Sequence, residues 1–547
     1  MLFCRNQILT LRIFRYSAMS RFSKLYYFPI YLALALIAGM VIGRALPKGF
    51  SATAGHSSKS DSLANEMYNL SEMLELVKEH YVDSVDVTKI AQRGINDLLK
   101  QLDPHSAYVP SAQVDKMNES LKGSFEGIGM EFTLFKDTIV VVKPVIGGPS
   151  EQAGLQPGDK IIQIEGKNAA GTGMNSDAVI KKLRGKRGTM VHISVLRTAE
   201  KALLPFAITR AEIPIHSVVA AFMLDSTTAY FKIEEFAENT IKELQESAPY
   251  ANKNVKNVVV DLRYNGGGYL NTCFDLADEF LKEGELVVYT DDRMHQQKKM
   301  FATEKGQFEN AKVYVLINSE SASASEIFAG AIQDNDRGVL IGERTFGKGL
   351  VQEVFPLADG GQMRLTVSRY YTPSGRCIQR EYKGVDYDKY SSERFDESKT
   401  DSSKVFYTKN KRKVYACGGV SPDVVLAHDS VLQWSLLNKI YEEDFIRKAA
   451  LFYYLKHKQQ LKALPAHIFL QSIAAQADIR RSAVAQLGAM KLLNKPLNAA
   501  STAFLAKEVC AIVAKCAYDS NAYYNVLLQN DPYIRYVLQQ LKHPSLR

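Results

Sequence analysis

Between residues 212 and 430, short apolar runs such as VVVDL (258–262), KVYVLI (312–317) and GVLIGE (338–343) alternate with helical stretches such as SEIFAGAIQD (325–334). Runs of this length and composition read as buried strands, and their alternation with helices indicates an α/β core. Such a core sets two small-residue motifs near each other in sequence, SESASASEIFAG (319–330) and GERTFGKGLVQ (342–352).

The first motif offers Ser321, Ser323 and Ser325, and the second offers Lys348. A serine hydroxyl is a weak nucleophile until a base takes its proton, and a lysine amine can do so when neutral. An ordinary lysine, with a pKa near ~10.4, is almost entirely protonated at neutral pH, so useful basicity costs roughly 4 kcal/mol of depression toward 7. Burial supplies such a shift. The neighbourhood suits it: Gly347 and Gly349 permit close packing, Phe346, Leu350 and Val351 are apolar, and in sequence no acid lies nearer on the C-terminal side than Glu353. Local chemistry does not choose among the three serines. A third element, VVVDLRYNGGGYL (258–270), places three glycines after a strand, where backbone amides can approach a ligand. Asp261 and Arg263 read as a structural ion pair.

These motifs resemble those of the carboxyl-terminal processing peptidases, the tail-specific serine-lysine proteases, over about residues 63–426. In that family the serine of SASASE is followed 25 residues later by the lysine of an FGKG turn and four later by a glutamine. The resemblance implies a nucleophile at Ser323, a base at Lys348 and an orienting group at Gln352. It further implies an oxyanion hole built from the backbone of Ala324 and of Gly267 or Gly268. Gly266 stands where the family often has proline, which implies a more mobile loop. The LDPHS turn (102–106) and Gly418-Gly419-Val420-Ser421-Pro422-Asp423 also resemble family elements.

Residues 123–210 change character. FEGIGMEF, DTIVVVKPV and LRGKRGTMVHISVLR are strand-like runs between Gly and Pro turns, and AGLQPGDKIIQIEG resembles a PDZ domain. The resemblance implies that Gly127, Ile128, Gly129 and Met130 hold a peptide carboxylate beside a receiving strand edge. Arg184, in LRGKRGT, is a candidate for coupling ligand occupancy to the catalytic centre; its alternative is a solvated charge.

Leu63, Met67, Leu70, Leu74, Val77 and Tyr81, then Ala91, Ile95, Leu98 and Leu102, recur at helical spacing. Residues 28–46 form an apolar run of about bilayer-spanning length behind Arg5, Arg12, Arg15, Arg21 and Lys24, which predicts a single-pass anchor with the catalytic part exported to the periplasm, the alternative being a signal peptide cleaved at Ala52-Thr53-Ala54. Beyond residue 430 the chain is rich in leucine and alanine and poor in glycine, as in a helical bundle.

The expected fold is therefore a multidomain α+β chain. Its divisions are a cytoplasmic N-terminus (1–27), an anchor (28–46), a linker (47–61) and a helical region (62–118). A β-rich PDZ module (119–211), an α/β serine-protease core of the processing-peptidase type (212–430) and a helical C-terminal extension (431–547) follow. The expected partners are proteins or peptides bound through their C-termini, the membrane, and a second copy or an adaptor through the N- or C-terminal helices.

Other functions find little support. GERTFGKG fits a phosphate loop for seven positions, but Gly349 offers no hydroxyl for magnesium and LVQEVFPL reads as a strand. No H-E-x-x-H pair or G-x-S-x-G elbow occurs, so neither metal nor cofactor is expected; His216 and His295 are the histidines to suspect for any alternative triad. A formal charge of +9 over 547 residues, without a basic block, gives nucleic-acid binding little support. The cysteines at 4, 273, 377, 417, 510 and 516 suggest no essential bridge. A catalytically silent PDZ scaffold is the rival expectation.

Overall fold

The computed structural model describes residues 60–198, 200–303, 306–383, 390, 404–416, 418–426, 431–489 and 495–542. The expected anchor, the N-terminal segment before it, most of the linker, Cys4, Cys417 and the centre of the polar insertion at 383–413 lie outside them. The chain divides into two compact units, residues 1–91 and 92–547. In the first, Ser60–His80 is a helix whose predicted apolar stripe stays largely exposed, with Leu63 at 68% and Met67 at 60% accessibility.

In the second unit, a six-stranded sheet runs in the order Val218–Met223, Thr228–Ile233, Asn257–Asp261, Lys312–Ile317, Gly338–Gly342, Val424–Val425. Only the first pair is antiparallel. Parallel strands covered on both faces are buried along their length and read as near-continuous apolar runs. Accordingly, Thr228–Ile233 and Asn257–Asp261 are buried at every position. On one face, Phe231, Val260 and Val315 pack with Phe280, Phe328 and Ile332; the helix Ala324–Asp334 in this layer has no exposed residue. A second sheet pairs Leu350–Pro356 with Gln362–Tyr371, which also borders Ala107–Val109 and Leu286–Asp292.

The β-rich module is a sheet in the order Met130–Phe135, Thr138–Pro144, Lys160–Ile164, Met190–Leu196, Leu204–Thr209, with the helix Ser176–Leu183 packed on its core through Val179 and Leu183. Alternation divides the strand Thr138–Pro144 between two cores. Ile139 and Val141 face the module's interior, whereas Val140 and Val142 join the C-terminal helices.

Those helices have two docking faces. The first meets the module: Lys515 pairs with Glu131 at 2.9 Å, Thr133 donates to Asp444 Oδ2 at 2.5 Å, and Lys143 Nζ donates to the carbonyls of Lys515 and Tyr518 at 3.1 and 3.0 Å. The second covers the face of the six-stranded sheet opposite the helix Ala324–Asp334: Leu528, Tyr533, Ile534 and Val537 pack with Tyr230, Val259, Tyr314 and Ile341.

Candidate active site

The geometry at Ser323 begins with a backbone conformation that L-residues seldom adopt. Ser323 has φ 57° and ψ −114° immediately before the helix Ala324–Asp334. Strain of this kind persists only where surrounding contacts impose it. Here they come from Glu326, which is 0% exposed. Its carboxylate accepts from Ser323 N at 2.8 Å, Lys348 N at 2.8 Å, Gly347 N at 2.7 Å and Thr345 Oγ1 at 2.6 Å. One side chain thus ties the serine turn to the lysine loop. Tyr370 adds a second tie, its hydroxyl donating to Ser323 O at 3.1 Å and also to Lys348 O.

The three serines separate by environment. Ser321 is buried and donates to Leu262 O at 2.8 Å, and Ser325 is buried and donates to Asn265 O at 2.9 Å. Ser323 instead lines a cavity of about 1060 Å³, together with Ala324, Lys348, Gln352 and Gly266, Gly267 and Gly268. Burial lowers the Lys348 pKa; the charge of Glu326 opposes that effect and Arg364 reinforces it. The sequence argument that acids are distant from Lys348 therefore holds along the chain but not through space.

Gln352 follows a bulge in the strand Leu350–Pro356, opposite Thr366. Its Nε2 donates to Thr366 Oγ1 at 3.1 Å, so its amide is oriented by the neighbouring strand. Thr366 N in turn donates to Ser106 Oγ at 3.1 Å, and Ser106 Oγ donates to Asp103 Oδ2 at 2.6 Å. The LDPHS turn consequently forms part of the cavity wall through Pro104, His105 and Ser106. His105 was not singled out from sequence. It meets Tyr390 OH at 3.1 Å, and burial, followed by the charge of Lys348, pushes its pKa down to about 3.

The glycine turn presses directly on the serine. A Cβ at Gly267 would lie 2.8 Å from Ser323 Cβ, and one at Gly268 would lie 2.3 Å from Phe236 O. Gly267 N donates to Asn265 Oδ1 at 2.8 Å, so of the two expected oxyanion donors this amide is already engaged. Gly268 and Ala324 both line the cavity. Asp261 and Arg263 pair at 2.6 Å beneath the turn. His216 pairs with Glu243 at 2.8 Å and His295 with Asp291 at 3.4 Å; neither lines the cavity.

In the PDZ-like module, Gly127 ends the strand Ser124–Gly127, Gly129 adopts φ 67°, and Met130 begins the edge strand. Ile128 O is held by Ser150 N at 2.9 Å and Ser150 Oγ at 2.7 Å, which fixes the loop. Arg184 caps the helix Ser176–Leu183, pairs with Glu119 and lies 4.4 Å over the Phe125 ring. It is thus a partnered residue rather than a solvated charge. Glu119 belongs to the helix Ser111–Lys122, whose Asn118, Leu121 and Lys122 line the cavity.

Among the described residues no cluster of His, Cys, Asp and Glu suits a metal, and no helix is long and apolar enough to cross a membrane. Cys273, Cys377, Cys510 and Cys516 are free thiols.

Two family models match the chain: peptidase family S41 over residues 227–391 and the PDZ domain over residues 140–197. A carboxy-terminal-processing protease of Bartonella bacilliformis is 36% identical over 322 residues, covering 57% of this chain and 73% of that protein. The carboxy-terminal processing protease CtpB of Bacillus subtilis is 33% identical over 342 residues, covering 61% and 69% respectively. CtpA of the same organism is 30% identical over 437 residues, covering 78% and 89%. Together with a serine turn, a lysine loop and a glycine turn meeting in one cavity beside a PDZ module, these matches show that the chain belongs to the carboxy-terminal processing proteases, serine peptidases of family S41.

Proposed function

We propose that Ser323 attacks the scissile carbonyl while Lys348, as the neutral amine, takes its proton. Lys348 then returns that proton to the leaving amine, and the acyl-enzyme on Ser323 is hydrolysed by water that the same lysine activates. Gln352 orients the lysine side chain, and the amides of Gly268 and Ala324 stabilise the oxyanion. The single observation that carries this reading is the shared cavity, which Ser323 alone of the three motif serines lines together with Lys348, a lysine whose pKa burial lowers.

Gly127, Ile128, Gly129 and Met130 hold the substrate's terminal carboxylate, and Arg184 links that module to the cavity-lining helix through Glu119. A single-pass anchor at 28–46 places the catalytic part in the periplasm, in keeping with the basic residues before that run.

Two measurements test the proposal. A lysine base acts only when neutral, so kcat/KM rises with pH, and because Lys348 is depressed the midpoint falls below the ordinary 10.5. A profile flat from about pH 6 to about pH 10 would reject a lysine base. An unstructured substrate with a free C-terminus is expected to be cleaved about tenfold more efficiently than the same chain ending in an amide, since the lost carboxylate removes charge-assisted hydrogen bonds. Equal cleavage of the two would reject carboxylate recognition by the 127–130 loop.

A further inference from the structure

Asp531 lies 268 residues beyond Arg263, in the C-terminal helices that the catalytic motifs do not account for, yet the two are joined. Asp531 divides its carboxylate between two tasks. Oδ1 accepts from Tyr533 N at 2.9 Å and Ile534 N at 3.0 Å, capping the helix Pro532–Lys542. Oδ2 accepts from an Arg263 guanidinium N–H at 2.9 Å. Arg263 Nε and Nη2 donate to Asp261, at 2.6 to 3.1 Å, and the group lies 4.7 Å over the Tyr533 ring.

Arg263 is the last residue before the turn that faces Ser323. Tyr264 follows at φ 63°, its N–H held by Asn318 Oδ1 at 2.9 Å. Asn265 then binds Ala322 N at 3.0 Å and Ser325 Oγ at 2.9 Å through its carbonyl, and Gly267 N at 2.8 Å through its side chain. The path from the helix Pro532–Lys542 therefore runs by a hydrogen bond from Asp531 to Arg263, along the chain to Asn265, and by a second hydrogen bond from the Asn265 side chain to the Gly267 amide, next to Gly268. Its far end is fixed, because Tyr533, Ile534 and Val537 are buried against the six-stranded sheet. Asp261 cannot hold the guanidinium alone with the same force, since it also faces Lys232 at 3.9 Å and accepts from Tyr230 at 2.8 Å.

We propose that Asp531 is a positioning residue for the oxyanion-binding turn, acting through Arg263, so that the C-terminal helical region completes the catalytic centre. This rests on the reading of Gly268 and Ala324 as oxyanion donors and of Ser323 as nucleophile.

The test uses the full chain carrying Asp531→Asn, whose amide oxygen keeps the helix cap and loses the charge on Arg263. The expected result is a kcat about tenfold lower with KM within about twofold, as for a transition-state contact. A peptide boronate, whose tetrahedral adduct places an oxygen where the oxyanion forms, should weaken by the same factor. Arg263→Lys should act in the same direction, and the double variant should be no worse than Arg263→Lys alone. The link is overturned by a kcat kept within about twofold, by boronate affinity unchanged while kcat falls, or by effects that multiply in the double variant. Cleavage that survives Ser323→Ala, run in parallel, overturns the nucleophile assignment instead and so separates the two failures.

Discussion

Ser323→Ala is expected to lower kcat by at least about 10⁴-fold, as loss of an activated nucleophile does in other serine enzymes. Folding should be unaffected, because the Ser323 contacts that shape the turn are made by its backbone, N–H to Glu326 and C=O to Tyr370. Lys348→Ala should cost a similar factor, and the double variant should be little worse than either, since two groups that act in one step do not contribute separately. Cleavage of an unstructured protein followed over time checks this. Residual activity within about a hundredfold of the parent in either single variant would remove that residue from the chemistry.

Glu326→Ala should damage both stability and rate. It leaves four donors without their buried acceptor, namely the Ser323, Gly347 and Lys348 amides and the Thr345 hydroxyl. At ~1 kcal/mol or more for each, the loss is expected to reach several kcal/mol, with a fall in kcat as the serine turn and lysine loop part. Glu326→Gln isolates the role of charge. Burial pushes the Glu326 carboxyl up to about 7, and hydrogen bonds from Thr345, Lys348, Gly347 and Ser323 restrain the rise. A folded-state pKa above the ordinary 4.5 means that stability from this group is fully present below about pH 4.5 and is lost as pH rises through about 7. Between those limits the parent should lose ~3 kcal/mol relative to Glu326→Gln, which has no such proton to lose. Urea unfolding of both proteins at each end of the window measures the difference. Parallel curves would show that the Glu326 carboxyl does not titrate there.

The strands VVVDL, KVYVLI and GVLIGE were legible because a strand buried on both faces has little freedom but to be apolar. The small-residue motifs were legible because close approach demands glycine, alanine and serine. Which serine faces the cavity was legible only through the family resemblance, since alternation in S-A-S-A-S describes all three alike and the physical reason, the engagement of Ser321 with Leu262 O and of Ser325 with Asn265 O, is tertiary. Glu326 had a signal that went unused: Ser323 and Glu326 have the S-x-x-E spacing of a helix N-terminus. Tyr370 had none, because it reaches Ser323 only through the pairing of two strands. Asp261 was legible as the partner of Arg263, two residues away, but Glu119 opposite Arg184 and Asp531 opposite Arg263 were equally invisible, as ion pairs between distant segments leave no periodic trace. In the N-terminal helix the spacing described the stripe correctly, but spacing alone does not say whether a partner covers it.

The two-sided strand Thr138–Pro144 decides where this polypeptide can be cut. Val140 and Val142, at 5% and 2% accessibility, owe their shelter to helices that begin nearly three hundred residues later. A fragment ending at residue 430 would bare that strip together with the sheet face over Tyr230 and Val259, two greasy surfaces on separate lobes. A catalytic core trimmed at residue 430 would therefore need new polar residues at those positions before it could remain monodisperse.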